Sequence, residues 1–360
     1  MLDRWSVRGR LFASTMTPTD PIHVPQGPVL VAGGAGYIGS HAVRLLQARG
    51  VEVQIFDNLS TGHRASIPAN VPFHQGDLGD RDAIRSALHA SQARAVIHFA
   101  AKCYVGESVA DPATYYRENV HYTWNLLEEM RAAEVRDIVF SSTCATYGTP
   151  VQVPIAESHP QAPINPYGHT KLHMEHMLAD YAVAYGLRYA ALRYFNAAGA
   201  APGGVIGEDH RPETHLIPLV LQVALGQREK IMVFGDDYDT PDGTCVRDYI
   251  HVNDLGDAHL RALAKLQGGH SSVICNLGTG TGYSVAQVIE CARQVTGHAI
   301  PAEVAPRRPG DPAELVSGGS RAKELLGWQP ERPDLLDILK DAWEWHQAQP
   351  NGYGLSGAAS

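Results

Sequence analysis

A glycine-rich segment near the start of the chain constrains the fold more than any other feature. Residues 29–32 form a short apolar run typical of a buried strand, and four glycines lie between positions 33 and 39. Apolar residues over 37–49 then recur at helical spacing. Backbone amides at a helix amino terminus bind phosphate groups, and glycines let a phosphate approach them closely. A strand, a glycine turn and a helix in this order therefore predict a dinucleotide-binding turn.

The alternation of strands and helices continues to residue 196. Further apolar runs predict strands at 51–56, 95–99, 137–142 and 188–194, with helical patterns between them at 80–90, 112–134 and 166–186. This order is typical of an α/β protein, a Rossmann-type doubly wound parallel sheet with helices on both faces. Beyond residue 196, helical patterns mix with short strand patterns at 231–234, 272–276 and 302–305, which predicts a smaller α+β lobe.

These patterns also predict the domain organisation. Residues 1–27 are expected to be a disordered extension or a start assigned too early, with Met16 as the rival start. A dinucleotide-binding domain is expected over 28–196, interleaved with later segments at about 231–276. A substrate-binding lobe mainly over 197–350 and a flexible tail over 351–360 complete the chain.

Composition excludes several classes of function. The 360 residues include 29 Lys and Arg against 38 Asp and Glu, a net charge of −9, so binding to nucleic acid through a basic surface is not expected. No apolar run approaches the ~18 residues of a membrane span. The five cysteines contain no CxxC pair, which argues against disulfides and against a zinc or other metal site. Reduced thiols of this kind are typical of a cytoplasmic enzyme.

An acidic residue follows the second predicted strand. Asp57 stands 18 positions after Gly39, close to the ~20 expected for a carboxylate that binds a ribose. Such a carboxylate accepts hydrogen bonds from the 2′- and 3′-hydroxyls and repels a 2′-phosphate, so NAD is expected rather than NADP. The alternative is a helix N-cap. Asp77 and Phe99, near the ends of the next two strands, are weaker candidates for cofactor contacts.

A tyrosine and a lysine open the helical pattern at 166–186. Tyr167 and Lys171 are four residues apart and therefore share one helix face. A nearby ammonium and the positive ring of oxidised NAD favour a phenolate, so the pKa of Tyr167 is expected to fall to about 7 and the residue to act as a general base. Thr143, at a hydroxyl-rich strand end, is expected to bridge Tyr167 and a sugar hydroxyl. The alternatives are an ordinary amphipathic helix and a threonine that only caps the strand.

Together these features resemble the extended short-chain dehydrogenase/reductase family, and within it the UDP-hexose 4-epimerases. The resemblance covers about 29–346 and is carried by GGAGYIGSH, FDNLSTGH, HFAAKCYVGESV, FSSTCATYG, NPYGHTK, RYFNAAGA, VFGDDYDTPDGTCVRDYIHV and RRPGDPAEL. It implies an isomerase that interconverts UDP-galactose and UDP-glucose. It further implies tightly bound, recycled NAD and oxidation of the sugar at C4 to a 4-keto intermediate.

The resemblance also implies site residues. The implied catalytic residues are Tyr167, Lys171 and Thr143. The implied NAD contacts are Gly33, Gly36, Tyr37, Ile38, Gly39, Asp57, Asn58, Ser60, Asp77, Leu78, Phe99, Lys102, Asn119, Tyr167, Lys171 and Tyr194. The implied UDP-sugar contacts are Thr143, Asn196, His215, Leu216, Phe234, Arg247, Arg308 and Asp311, and the two arginines can clamp a diphosphate.

Several alternatives stay open. Leu315 stands where the family has tyrosine in enzymes for plain hexoses and a small residue in those that also accept N-acetylhexosamines, so weak conversion of UDP-N-acetylglucosamine is expected. A UDP-glucuronate 4-epimerase is a close alternative. A nucleotide-sugar dehydratase would need an Asp-Glu pair after Thr143, where this chain has Cys144 and Ala145. A non-catalytic NAD-binding protein would not need Tyr167 and Lys171.

Two predicted helices, 112–134 and 166–186, carry many large apolar residues. Packing against the sheet accounts for most of them. Two such helices meeting their copies would form a four-helix seam, as in the family's usual homodimer. The sequence therefore predicts a dimer through these helices. The large apolar residues that they carry are Tyr115, Tyr116, Tyr122, Trp124, Leu126, Met174, Met177, Leu178, Tyr181 and Tyr185.

Overall fold

The computed structural model describes residues 24–308 and 310–354. The predicted extension over 1–27 lies outside the described residues except for 24–27, and the predicted tail lies outside them from residue 355 onward. Within the described ranges, no helix has the length and apolar character needed to cross a bilayer.

Seven parallel strands form the central sheet, which confirms the predicted α/β class. Numbered along the chain, they are β1 (Val29–Ala32), β2 (Val53–Asp57), β3 (Phe73–Gln75), β4 (Ala95–His98), β5 (Asp137–Thr143), β6 (Arg188–Tyr194) and β10 (Val273–Leu277). Their order across the sheet is β10-β6-β5-β4-β1-β2-β3. The chain reverses direction across the sheet between β1 and β4, and ligands of open α/β folds bind at the carboxyl ends of the strands beside such a point.

Helices cover both faces of this sheet. They are α1 (Tyr37–Ala48), α2 (Arg81–Ser91), α3 (Val105–Ala110), α4 (Pro112–Tyr115), α5 (Tyr122–Ala132), α6 (Pro166–Tyr185) and α8 (Val252–Gln267). Val29 and Val31 of β1 pack in the apolar cluster shared with α1 and α8, whereas Leu30 packs in the opposite cluster with α2, α5 and α6. Burial on both faces explains why this strand is continuously apolar.

The smaller lobe is built around a strand that the sequence did not predict, β9 (Val246–His251). It pairs with β7 (Asn196–Ala198), β11 (Gly282–Ser284) and β13 (Glu314–Leu315). A separate pair joins β8 (Ile231–Phe234) to β12 (Ala302–Ala305). The remaining helices are α7 (Leu216–Ala224), α9 (Val285–Thr296), α10 (Arg321–Leu326) and α11 (Leu335–Ala348).

Two sequence expectations differ from this architecture. Residues 231–276 were predicted to return to the dinucleotide-binding domain. Within that range α8 and β10 do return to the central sheet, but β8 pairs within the lobe. The predicted helix over 112–134 is interrupted by a π-helical turn, Tyr116–His121, between α4 and α5. Such turns are frequent at functional sites, and this one holds the fully buried Asn119.

Three buried histidines should make the fold sensitive to acid. Burial lowers the pKa of His41 and His98 to about 3 and that of His259 to about 4. Below pH ~6.5 these histidines bind protons in the unfolded chain but stay neutral in the folded chain. Each therefore lowers the free energy of unfolding by up to about 1.4 kcal/mol for every pH unit of acidification, until the pH reaches its folded pKa.

We therefore expect urea unfolding to give a lower free energy of unfolding at pH 5 than at pH 7. His98→Asn should reduce this pH dependence, because it removes one group that titrates only after unfolding. An unchanged pH slope in that variant would contradict the assignment.

Candidate active site

The glycine turn joins β1 to α1 at the carboxyl edge of the sheet. Gly33 has a φ of +80°, and an added Cβ would lie 2.5 Å from the amide nitrogen of Ala100, just beyond β4. A Cβ on Gly39 would lie 2.1 Å from the carbonyl oxygen of Gly33. The fold itself therefore requires glycine at both positions.

The space around Gly36 is open, whereas the space around Gly33 and Gly39 is crowded. It is the N-cap of α1, and an added Cβ would meet only the carbonyl oxygen of Gly33, at 3.4 Å. The amino terminus of α1 has no side-chain cap, because no side chain of the described residues accepts from its first amides. Unpaired amides at a helix amino terminus, with open space above them, fit a pyrophosphate. The residues present thus fit the dinucleotide that the sequence predicts.

Asp57 closes this turn from the neighbouring strand. Its carboxylate accepts from the amide of Ala35 at 2.9 Å and from the amide of Leu59 at 2.8 Å, and burial raises its pKa. It caps no helix, because the next helical turn, Arg64–Ser66, begins after His63. The carboxylate is therefore held beside the glycine turn, as a ribose-binding residue would be.

Other candidate cofactor residues line the same edge. The Asn58 side chain donates to Asp77 at 2.6 Å and accepts from the amide of Ser60 at 2.9 Å, so these three residues form one group. The Leu78 side chain packs in a core cluster, and its contact with the cofactor stays a prediction.

Three aromatic or apolar candidates border the turn. The Tyr37 hydroxyl donates to the carbonyl of Gly199 at 2.6 Å and so ties the turn to the smaller lobe. Ile38 packs against the core, and the Phe99 ring lies 4.6 Å from the ring of His259.

The three candidate catalytic side chains meet where β5 faces α6. Asn165 caps α6 by accepting from the amide of Gly168 at 2.9 Å, which places Tyr167 in the first turn. The Thr143 side chain lies close enough to the Tyr167 hydroxyl to act against the rise in its pKa that burial causes. Thr143 also accepts from the amide of Ala145 at 3.1 Å. Thr143 therefore caps the turn after β5 and lies close to Tyr167, and its bridge to a sugar hydroxyl stays a prediction.

Lys171 lies one helical turn further along α6 and is 3% exposed. Its ammonium donates to the carbonyl oxygen of Ser141 at 2.9 Å and lies 4.9 Å from the ring centroid of Phe140. Burial lowers its pKa to about 8, so the ammonium form predominates at pH 7.

The pKa of Tyr167 is the main departure from expectation. Burial raises it well above the usual value, and Tyr194 acts in the same direction. Lys171 points its ammonium at the main chain of β5 instead. The side chains alone therefore do not ionise the phenol, and a pKa near 7 requires positive charge from a bound ligand.

A second hydrogen-bond network joins predicted cofactor residues from three elements. The Asn119 side chain accepts from the amide of Lys102 at 2.8 Å and donates to its carbonyl oxygen at 3.1 Å. It also donates to the hydroxyl of Thr170 in α6 at 3.0 Å. Burial raises the pKa of Tyr194, at the end of β6, to about 12, and the nearby Ser141 side chain acts against this shift. The π-helical turn therefore serves to point Asn119 at the loop after β4 and at α6.

The candidate UDP-binding residues lie in the smaller lobe. Arg247 at the start of β9 forms an ion pair with Asp311. The guanidinium of Arg308 lies 4.0 Å from the ring centroid of Phe234 and has no carboxylate partner among the described residues. The two arginines thus have different partners in this structure, and Arg308 retains its hydrogen-bonding capacity for a phosphate.

The remaining candidates of the lobe are Asn196, Leu216 and His215, and their contacts with UDP stay predictions. Asn196 opens β7 opposite Tyr249, and Leu216 opens α7. His215 directs its Nδ1 atom to carboxylate oxygens of Glu208 and Glu213, each at 2.9 Å, rather than leaving both nitrogens for uridine.

Leu315 packs in a small cluster directly beyond the end of β5. Its neighbours there are Cys144, Tyr147, Ile155 and Phe195. Cys144 directly follows Thr143 in the sequence, so Leu315 is suited to influence the space next to a bound sugar.

Sequence reasoning missed a buried ion pair one helical turn beyond Lys171 on α6. Arg193 donates to Glu175 through two nitrogens, at 2.9 and 2.5 Å, and both side chains are at most 4% exposed. Glu175 also accepts from the hydroxyl of Ser142 at 2.5 Å. The signal available was the spacing, because Glu175 lies four residues after Lys171 and shares its helix face.

Comparison with known proteins defines the class. The chain belongs to the NAD-dependent epimerase/dehydratase family, whose model matches residues 29–278. It is similar to the UDP-glucose 4-epimerase of Halalkalibacterium halodurans, with 54% identity over 325 residues that cover 90% of this chain and 97% of the relative.

Solved structures agree with this class. The UDP-glucose 4-epimerase from Brucella ovis, crystallised in complex with NAD, is 49% identical with a TM-score of 0.86, covering 88% of this chain and 98% of that chain. The UDP-glucose 4-epimerase from Bifidobacterium longum, in complex with NAD⁺ and UDP, is 39% identical with a TM-score of 0.87, covering 91% of this chain and 100% of that chain.

Proposed function

We propose that this chain is an NAD-dependent UDP-glucose 4-epimerase that interconverts UDP-galactose and UDP-glucose. The observation that carries the proposal is that Thr143 at the end of β5 lies close to Tyr167 in the first turn of α6, with the buried Lys171 one helical turn further along the same helix. These groups lie at the carboxyl edge of the sheet, where the glycine turn also lies. Membership of the epimerase/dehydratase family and 54% identity to a UDP-glucose 4-epimerase support it.

Thr143, Tyr167 and Lys171 have separate proposed roles in the reaction. When bound, NAD supplies an acceptor for the hydrogen and electron pair of the sugar C4–H bond and adds positive charge to the site. Thr143 orients the C4 hydroxyl, and Tyr167 removes its proton as the phenolate, which the positive charge added with the cofactor favours. The Lys171 ammonium, held by the carbonyl of Ser141, adds positive charge one helical turn away. Tyr167 later returns the proton to the C4 oxygen when the hydrogen and its electron pair come back to the other face of the 4-keto sugar.

The smaller lobe is proposed to hold the nucleotide while the hexose turns. Arg308 and Arg247 bind the diphosphate, and Phe234 supplies an apolar surface beside Arg308. Gly33, Gly36 and Gly39 are proposed to cradle the pyrophosphate of NAD, with Asp57 on its ribose.

Dehydration is disfavoured by the residues that follow Thr143. Elimination needs an acid and a base there, and Ala145 offers neither. Burial raises the pKa of the Cys144 thiol to about 12, so Cys144 does not exchange protons at neutral pH.

Product analysis tests the proposed function. Purified protein incubated with UDP-galactose and no added NAD is expected to form UDP-glucose, because the cofactor is proposed to stay bound and to be recycled. Proton NMR distinguishes the two sugars, which have equal mass. A keto-deoxy sugar would indicate a dehydratase, and unchanged UDP-galactose in NAD-saturated protein would contradict catalysis altogether.

Parallel reactions with UDP-N-acetylglucosamine and UDP-glucuronate define the range of sugars. Leu315 is intermediate between a large and a small residue, so we expect slow conversion of the N-acetyl sugar. No turnover at high enzyme concentration would reject this expectation. Faster conversion of UDP-glucuronate than of UDP-galactose would favour the uronate alternative.

The proposal includes the domain assignment and the location of the protein. Residues 28–196, together with α8 and β10, form the NAD-binding domain, and 197–350 mainly form the UDP-sugar lobe. Cys103, Cys144, Cys245, Cys275 and Cys291 are all unpaired, which supports a cytoplasmic location.

We also propose a homodimer through α4, α5 and α6. Packing explains Leu126 and Met174, which are buried, but Tyr116, Trp124 and Tyr185 are 41, 37 and 54% exposed. Trp124→Glu is expected to lower the mass in sedimentation from dimer to monomer, because it places a charge in the seam. Val151→Glu, at an exposed loop residue outside these helices, is the matched control. A wild-type monomer at micromolar concentration would overturn the dimer.

A further inference from the structure

Four potential metal ligands lie together in the segment between β7 and α7. Glu208, His210, Glu213 and His215 each contribute one ligand atom to a group whose atoms all lie within 4.8 Å of one another. The two carboxyl side chains are each 6% exposed and His210 is 13% exposed. The rings of Tyr37 and Tyr104 flank His210, at 6.2 and 6.0 Å. We call these four residues the Glu-His cluster.

The separations within the Glu-His cluster match a tetrahedral metal site. Glu208 Oε1 lies 3.1 Å from Nδ1 of His210 and 2.9 Å from Nδ1 of His215. Glu213 oxygens lie 3.7 and 2.9 Å from the same two nitrogens. Ligand atoms around zinc at its usual bond lengths are about 3.3 Å apart. These four contacts are close to that value, and the other ligand atoms, which lie within 4.8 Å of one another, move inward to coordinate one ion.

The direction of one histidine nitrogen is a second, independent observation. Nδ1 of His210 is fully buried and makes no hydrogen bond of acceptable geometry, although Glu208 Oε1 is only 3.1 Å away. An unpaired buried nitrogen costs free energy unless something else satisfies it. Metal binding requires both imidazoles in the neutral form, and in that form the two buried carboxylates leave a charge of about −2 that a divalent cation neutralises.

We propose that the Glu-His cluster binds one divalent transition-metal ion of the zinc type. Two imidazoles and two carboxylates suit zinc, whereas calcium and magnesium favour oxygen ligands. Four protein ligands leave no open coordination position on the ion, so its role is structural. It links residues 208–215, directly before α7, to one another. The expectation of no metal rested on cysteine spacing and did not consider this histidine-glutamate pattern.

Metal content tests the proposal without reference to activity. Full-length protein stripped with a chelator, incubated with Zn²⁺ and gel-filtered is expected to hold about one zinc per chain by mass spectrometry. His210→Gln and Glu213→Gln should lose most of it. The matched control is His298→Gln, at an exposed histidine bonded only near its own turn, which should keep the wild-type content. Cobalt loaded into wild type should give the visible absorption of tetrahedral Co²⁺.

The outcomes separate a metal site from a charge-balanced cluster. If the histidines are simply protonated and paired with the glutamates, wild-type protein will retain no zinc after gel filtration, and the proposal is overturned. Equal zinc in wild type and in both cluster variants would also overturn it. Should a variant fail to fold, titration of the wild type with Zn²⁺ against a chromophoric chelator decides. Binding of one tight equivalent together with a raised melting temperature supports the site, and the absence of both effects refutes it.

Discussion

Tyr167→Phe is expected to lower kcat with UDP-galactose by about 10²- to 10⁴-fold while leaving the Kd for UDP little changed. The substitution removes only the hydroxyl, which lies close to the Thr143 side chain. The ring remains packed edge-on against Tyr115, with centroids 6.5 Å apart, so the first turn of α6 should keep its shape. Coupled assays give kcat, and calorimetric titration with UDP gives the Kd.

The matched control lies on the same helix. Tyr181→Phe makes the same chemical change, but its hydroxyl bonds Glu128 at 2.7 Å, away from the catalytic group. We expect that variant to keep nearly the wild-type kcat. If Tyr167→Phe retained wild-type turnover as well, the assignment of the general base would be wrong even though the fold and family would stand.

The parts of the site that sequence could predict are those set by local backbone requirements. Gly33 needs a positive φ and Gly39 needs space against Gly33, so the turn is visible as glycines at fixed spacing. Tyr167 and Lys171 share a helix face whatever surrounds the helix. The carboxyl end of a parallel strand then places Thr143 and Asp57 at one edge of the sheet.

The parts that sequence could not predict depend on partners far apart in the chain. Lys171 was expected to act directly on Tyr167, but its ammonium is held by the carbonyl of Ser141, 30 residues earlier. His215 was expected beside the uridine, but the glutamates of the preceding loop hold it. β9 was missed because Arg247 and Asp248 interrupt its apolar pattern, and both are satisfied only by tertiary contacts. Side-chain direction thus depends on distant contacts, whereas backbone conformation follows local sequence.

The second large effect is expected on stability. Arg193→Met should lower the free energy of unfolding by about 3–5 kcal/mol, because it leaves the Glu175 carboxylate buried without its partner. The side chains are 4% and 3% exposed, so water cannot replace the lost guanidinium. The variant also removes the donor to the Tyr147 hydroxyl, at 2.8 Å. Urea unfolding at pH 7 measures the change.

Arg131→Met is the control, with the same substitution at an exposed pair. Arg131 is 49% exposed and donates to Glu128 at 2.9 Å, so its loss should cost less than about 1 kcal/mol. Adding Glu175→Met to Arg193→Met should restore part of the stability, because no unpaired charge then stays buried. If Arg193→Met lowered the free energy of unfolding no more than Arg131→Met, the Glu175 carboxylate would have to be hydrated or protonated in the variant. Glu175 accepts from Ser142 next to Thr143, so a change in its hydration or protonation would also loosen the end of β5.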